Sequence, residues 1–131
     1  MIMDPSFLIE LLRGSNLKVK EKAEELDRKF VTKGISSLTV MELWRGAVSS
    51  LKQEEEKKKV NDLLQSLIVF PFNEKEARKS AVIESELIKK GRIIDLEDIM
   101  IAGTALSNNE TILTCNLKHF KVIDGLNVED F

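Results

Sequence analysis

The sequence predicts an α/β domain built on a mainly parallel sheet of four to five strands. Short runs of Ile, Val, Leu and Phe recur along the 131 residues, as strands covered on both faces tend to do. Between these runs lie longer segments whose apolar residues repeat at helical spacing. Strands that alternate with helices point to βαβ units and hence to parallel pairing. There is no internal repeat, low-complexity tract or linker, so residues 1–131 read as one domain. A chain of this size buries roughly two-thirds of its unfolded surface, enough for a core without staples.

The first strand is Met1–Met3, and the helix after it carries Phe7, Leu8, Leu11 and Leu12 on one face. Asp4 and Pro5 stand where an N-cap and a first helical residue belong. Residues 17–30 are amphipathic. Gly34–Leu38 is the second strand; Val40, Met41, Trp44, Ala47 and Val48 form the apolar stripe of the next helix. Thr39-x-x-Glu42 has the spacing of a capping box at that helix's start. Residues 54–66 are helical, with Glu54–Glu56 set three and four places before Lys57–Lys59, the pattern of a solvated face. Leu67–Phe72 is the third strand. The helix over 74–90 stops before Gly91, a residue suited to a left-handed C′ position. Residues 97–108 are apolar on nearly every side, so this helix is expected at the centre of the packing. Thr111–Thr114 is the fourth strand and Lys121–Ile123 a short fifth.

Composition narrows the function classes. Twenty basic and 22 acidic side chains leave a net charge of −2, which argues against gripping nucleic acid by overall field. A local basic rim at Lys89–Arg92 or Lys118–Lys121 stays open. The single cysteine, Cys115, allows no intrachain disulfide and reads as a small core residue in a reducing setting. No secretory signal and no membrane-length apolar run is visible, so a soluble cytoplasmic protein without membrane contact is expected.

The acids fall in a telling place. In an open parallel sheet, function gathers beyond the carboxyl ends of the strands. Asp4 follows the first strand, Glu42 starts the helix after the second, Asp98 lies in the first turn of the apolar helix, and Asn116 follows the fourth strand. Each alone is explained by capping, by the helix dipole or by a turn. Together they share one edge of the sheet and exceed what capping requires. Crowded carboxylates repel unless a cation neutralises them. An all-oxygen set with no Cys–His cluster suits Mg²⁺ or Mn²⁺ rather than Zn²⁺. Such a site can activate water against a phosphodiester. Asp95 and Glu97 are spare acids beside it.

The stretches "MIMDPSFLIELL", "SSLTVMELWRGA", "GRIIDLEDIMIAGTAL" and "TILTCNLKHFKVIDGLNVEDF" together resemble the PIN-domain family, and within it the VapC toxins of prokaryotic toxin–antitoxin pairs. The resemblance runs from Ile2 to Phe131. It implies a three-layer α/β/α fold and an Mg²⁺- or Mn²⁺-dependent endoribonuclease. It places Asp4, Glu42 and Asp98 as the three metal-binding acids and Asn116 at the fourth position, with Ser6 and Thr114 supporting them. Two departures matter: Pro5 stands where the family commonly has Thr, and Asn116 lacks a carboxylate's charge, so one bound ion is expected rather than two. Lys118 and Arg45 are candidate phosphate contacts. His119 is expected to pack beside Phe120 with its ring satisfied, and not to act as a base. The resemblance further implies a VapB-like antitoxin and a homodimer, with Leu8, Leu11, Leu12, Trp44 and Val48 available for contacts or for the core.

Three other functions compete. A signalling receiver domain needs a pair of acids after the first strand and an Asp ending the third; here Asp4 stands alone and the third strand ends in Val69–Phe70–Pro71–Phe72. A catalytically inactive PIN-fold binding module is kept open by Asn116 and Pro5. An RNA-processing PIN nuclease without an antitoxin usually carries further segments.

Overall fold

The computed structural model describes all 131 residues. The elements run β1 (Ile2–Met3), α1 (Pro5–Arg13), α2 (Leu17–Arg28), β2 (Gly34–Ser36), α3 (Ser37–Val48), α4 (Gln53–Leu64), β3 (Ile68–Phe70), α5 (Glu74–Lys89), α6 (Leu96–Ser107), β4 (Ile112–Leu113), α7 (Leu117–Phe120) and β5 (Val128–Glu129). All strand pairs are parallel, in the order β3-β2-β1-β4-β5.

Side-chain alternation in the short central strands builds the three layers. Successive strand residues point to opposite faces. Ile2 of β1 and Ile112 of β4 therefore enter one core, with Ile83 and Leu87 of α5, Ile99, Ile101, Ala102 and Ala105 of α6, and Phe120 of α7. Met3 and Leu113, their neighbours, enter the other, with Phe7 and Leu8 of α1, Val19 and Leu26 of α2, Leu43 and Ala47 of α3, and Val60 of α4. Five of the twelve residues in α6 are fully or nearly fully buried in sequence from Ile101 to Ala105, which agrees with the expected central helix. The helix lies so close to α5 that a Cβ on Gly103 would meet Ser80 Oγ at 2.0 Å and the Ser80 backbone nitrogen at 3.0 Å. Gly91 ends α5 in the left-handed region at φ +69°, as its position predicts.

Several expectations are corrected. The fifth strand is Val128–Glu129, not Lys121–Ile123: Ile123 is apolar because it plugs the core beneath α7, while β5 is held to β4 by backbone bonds, Ile112 N–H to Asn127 O (3.0 Å) among them. β3 is not covered on both faces. It lies at the sheet edge, with Ile68 and Val69 about half exposed. The inner face of α3 is Thr39, Leu43 and Ala47, leaving Met41 and Val48 exposed. Of the candidate dimer contacts, Leu8 is core and Leu11, Leu12 and Trp44 pack against it; Val48 alone among them is exposed. The expected solvated face of α4 is present, with Lys57 and Lys59 paired to Glu54, Glu55 and Glu56.

Strand order also fixes where a site can form. From β1 the chain moves outward through β2 to β3, then returns to β4 on the other side of β1. The crevice at the carboxyl ends of β1 and β4 is thus the topological switch point, where open α/β sheets bind ligands. Helices α1 and α3 begin at that edge because they follow β1 and β2. Helix α6 begins there too, since it must run back across the sheet to deliver β4.

Candidate active site

Asp4 is the first residue past β1, tied to β4 by its N–H bond to Leu113 O (2.9 Å), and is 3% exposed. Its Oδ2 accepts bonds from Ser6 N–H (3.3 Å), Ser6 Oγ–H (2.5 Å) and Thr114 Oγ–H (3.0 Å). Capping and site roles are therefore combined in one carboxylate. With Pro5 at the first helical position and lacking an N–H, the capping bond falls to Ser6. Burial raises the Asp4 pKa, and the bonds from Ser6 and Thr114 oppose that rise. Thr114 is fully buried and its Oγ accepts the Asn116 N–H (2.9 Å), while Ser6 Oγ accepts the Cys115 N–H (3.2 Å). Two small hydroxyls thus staple the end of β4 to the start of α1.

Glu42 reaches the same place by a different route from the one expected. Helix α3 is capped by Ser36, whose Oγ accepts the Leu38 N–H (3.2 Å), so the Thr39–Glu42 capping box does not form. Ser36 is a good N-cap residue standing at the end of β2, and it takes the role three positions early. Thr39 turns into the core, where its hydroxyl has no partner, and Glu42 moves to the second turn. Its Oε2 is buried without a hydrogen-bond partner. Burial, followed by the neighbouring Glu97 carboxyl, pushes the Glu42 pKa up to about 7, with Arg45 opposing.

Asp98 lies in the first turn of α6, and its Oδ2 is 2.9 Å from His119 Nδ1. Burial raises its pKa; the His119 bond lowers it, and the charge of Asp4 raises it further. Asp95 is the N-cap of α6 by position, but its side chain makes no capping bond. Asn116 follows β4 at the start of α7, exposed, with its N–H on Thr114.

All four predicted residues, Asp4, Glu42, Asp98 and Asn116, line one cavity of about 280 Å³ with Ser6, and Thr114 stands directly behind it. The spare acids Asp95 and Glu97 line it too. Two side chains are placed differently from expectation. His119 does have a satisfied ring, but on the cavity wall against Asp98 and half exposed, because the unforeseen turn of helix α7 carries it there. Its offset of three residues from Asn116, one helical turn, was the available signal. Cys115 is exposed and not a core residue, since β4 ends at Leu113 and the chain turns outward.

The donor set fits a hard divalent cation. It is all oxygen apart from His119, and it includes a buried, unpartnered Glu42 Oε2 among carboxyls whose pKa values are raised by crowding and burial. As they stand, no three Asp, Glu, His or Cys side chains converge closely enough to grip one ion, so binding would require rotation of those side chains. The cavity has room for an ion with several waters, each water taking about 30 Å³.

Comparison with known proteins places this geometry among others. The PIN domain pattern matches residues 1–126. A protein of Rickettsia felis named ribonuclease VapC2 is 36% identical over 107 residues, covering 82% of this chain and 80% of its own. The tRNA(fMet)-specific endonuclease VapC of Salmonella typhimurium is 34% identical over 117 residues, covering 86% and 89%. Among solved structures, that of VapBC2 from Rickettsia felis bound to a DNA fragment from their promoter superposes with a TM-score of 0.90 at 29% identity, covering 99% of this chain and 97% of that one. No helix is long and apolar enough to cross a membrane.

Proposed function

Because the chain belongs to the PIN-domain family, with VapC ribonucleases among its relatives, we propose that it is a VapC-type endoribonuclease that hydrolyses RNA phosphodiesters with Mg²⁺ or Mn²⁺. The observation that carries this reading is the meeting of Asp4, Glu42, Asp98 and Asn116 in one cavity at the switch point of the sheet. Asp4, Glu42 and Asp98 would hold the ion, with the Asn116 amide oxygen completing the set. When bound, the ion would supply a more acidic water and neutralise charge developing on the phosphate.

The side chains divide the remaining work. Asp4 is locked by three donors and serves as the fixed point of the site. Asp98 is oriented by His119. Glu42 faces the same cavity and, where it is not itself on the ion, takes the proton from the attacking water. The water oxygen adds to phosphorus, the bond to the leaving ribose oxygen breaks, and that oxygen is protonated from solvent. The likeness to solved VapBC complexes supports a VapB-like antitoxin as partner. The test is cleavage of single-stranded and transfer RNA by the purified protein with Mg²⁺, Mn²⁺ or EDTA, beside Asp98→Asn. Metal-dependent cutting that the substitution abolishes is expected. A wild-type protein inert with both metals would leave a binding module.

A further inference from the structure

A second cavity adjoins the first and shares Asp95, Asp98 and His119 with it. Its other wall is basic and apolar, formed by Arg92 and Ile93 ahead of α6 and by Lys118 on α7. Arg92 and Lys118 are exposed and share this cavity with two carboxylates, yet neither forms an ion pair with them; nearby Lys90, by contrast, is held by Asp124 at 2.8 Å. The volume, about 190 Å³, is below the roughly 300 Å³ at which small-molecule pockets begin. It suits a phosphate with part of its sugar better than a whole metabolite.

Resting on the ribonuclease reading above, we infer that this second cavity is a phosphate subsite for the RNA strand. Arg92 and Lys118 hold a phosphodiester next to the one that enters the acidic cavity. The need for such a subsite follows from charge. A wall of carboxylates repels a polyanion, and the net charge of −2 supplies no compensating field. Two unpaired cations on the adjoining wall anchor the strand without neutralising the acids that do the chemistry. Ile93, fully exposed beside them, offers an apolar surface to the sugar or to a base splayed from a single strand. An acidic segment of a partner protein is the rival occupant.

The test separates this subsite from the catalytic reading. A fluorescent single-stranded RNA is titrated into the Glu42→Gln protein, which is expected to bind without cutting, and into the same protein carrying Arg92→Gln and Lys118→Gln. Each phosphate contact on a single strand contributes about 0.7 to the slope of log K against log salt, so the added pair should flatten that slope by about 1.4. Lys52→Gln with Lys58→Gln, two lysines that line neither cavity, should leave it unchanged. In the otherwise wild-type chain, Arg92→Gln with Lys118→Gln should raise KM for RNA and leave kcat nearly unaltered. Both residues are exposed, so the melting temperature serves as the folding control. If the wild type cuts RNA while slope and KM ignore the two substitutions, the subsite is refuted and the ribonuclease stands. A protein that neither binds nor cuts RNA refutes both. Loss of binding to a poly-aspartate peptide, with RNA binding intact, would assign the cavity to a protein partner instead.

Discussion

Replacing Glu42 by Gln should disable the enzyme and stabilise its metal-free fold. In the fold the Glu42 carboxyl titrates at about 7, against 4.5 for an unperturbed glutamate, because it is buried beside Glu97. A group whose pKa is raised on folding contributes stability fully present below its unfolded value and lost as pH rises through the folded one. The wild type thus gives up stability between pH 4.5 and about 7. At ~1.4 kcal/mol for each tenfold, the gap bounds that loss at ~3.5 kcal/mol. Part of the side chain faces the open groove, and screening there brings the working figure to ~1–1.5 kcal/mol. With an unfolding entropy of ~2.1 cal/mol/K per residue, Glu42→Gln should melt ~4–5 °C above wild type at pH 8. At pH 5 the wild-type carboxyl is protonated in the fold, and most of the difference should vanish. The assay is thermal unfolding by circular dichroism in EDTA at both pH values. A variant no more stable than wild type at pH 8, or an equal gain at both pH values, would refute the reasoning.

Three further outcomes follow from the geometry. Gly103→Ala should destabilise by ~1–2 kcal/mol despite the better helix propensity of Ala, because overpacking against Ser80 outweighs it and strains the buried Ser80 Oγ–H bond to Glu76 O (2.8 Å); a melting temperature at or above wild type would show that α5 and α6 give way freely. Thr114→Val removes a donor that holds the Asp4 pKa down, so the acidic limb of the cleavage profile should move to higher pH, with a loss of ~10–100-fold in rate, measured as kcat/KM against pH. Asn116→Asp adds a carboxylate to the set: Mg²⁺ should half-saturate at lower concentration while the melting temperature in EDTA falls, and calorimetric titration that finds no tighter binding would remove Asn116 from the ligand shell.

How far the sequence could be read depended on whether the deciding interaction was local. The first four strands and six longer helices were legible because each strand is a short apolar run, buried on both faces in β1, β2 and β4, and amphipathic helices carry their period openly. The cavity was legible because its acids stand at strand ends and helix starts, and the sheet brings those ends together. Val128–Glu129 carries no strand pattern in two residues; its identity comes from backbone bonds to β4, whereas Val122 and Ile123 look strand-like only because they pack under α7. The capping box at Thr39 was misread because Ser36 competes for the same role, and only the end of β2 decides between them. The exposure of Cys115 and the pairing of His119 depend on where α7 turns, which four residues do not reveal.

The central strand of the sheet is synthesised before its four companion strands, and this has a consequence for timing. Asp4 depends on Thr114, 110 residues later, for a bond that fixes it, and β1 depends on β4 for one of its two neighbours. A nascent chain therefore carries its first acid long before the partner that orients it exists, and such distant pairings form late. A chain halted before residue 111 should cut no RNA, which an assay of the truncated product would check. On the ribonuclease reading, an enzyme made on RNA acquires the power to destroy RNA only once β4 and Thr114 have been synthesised.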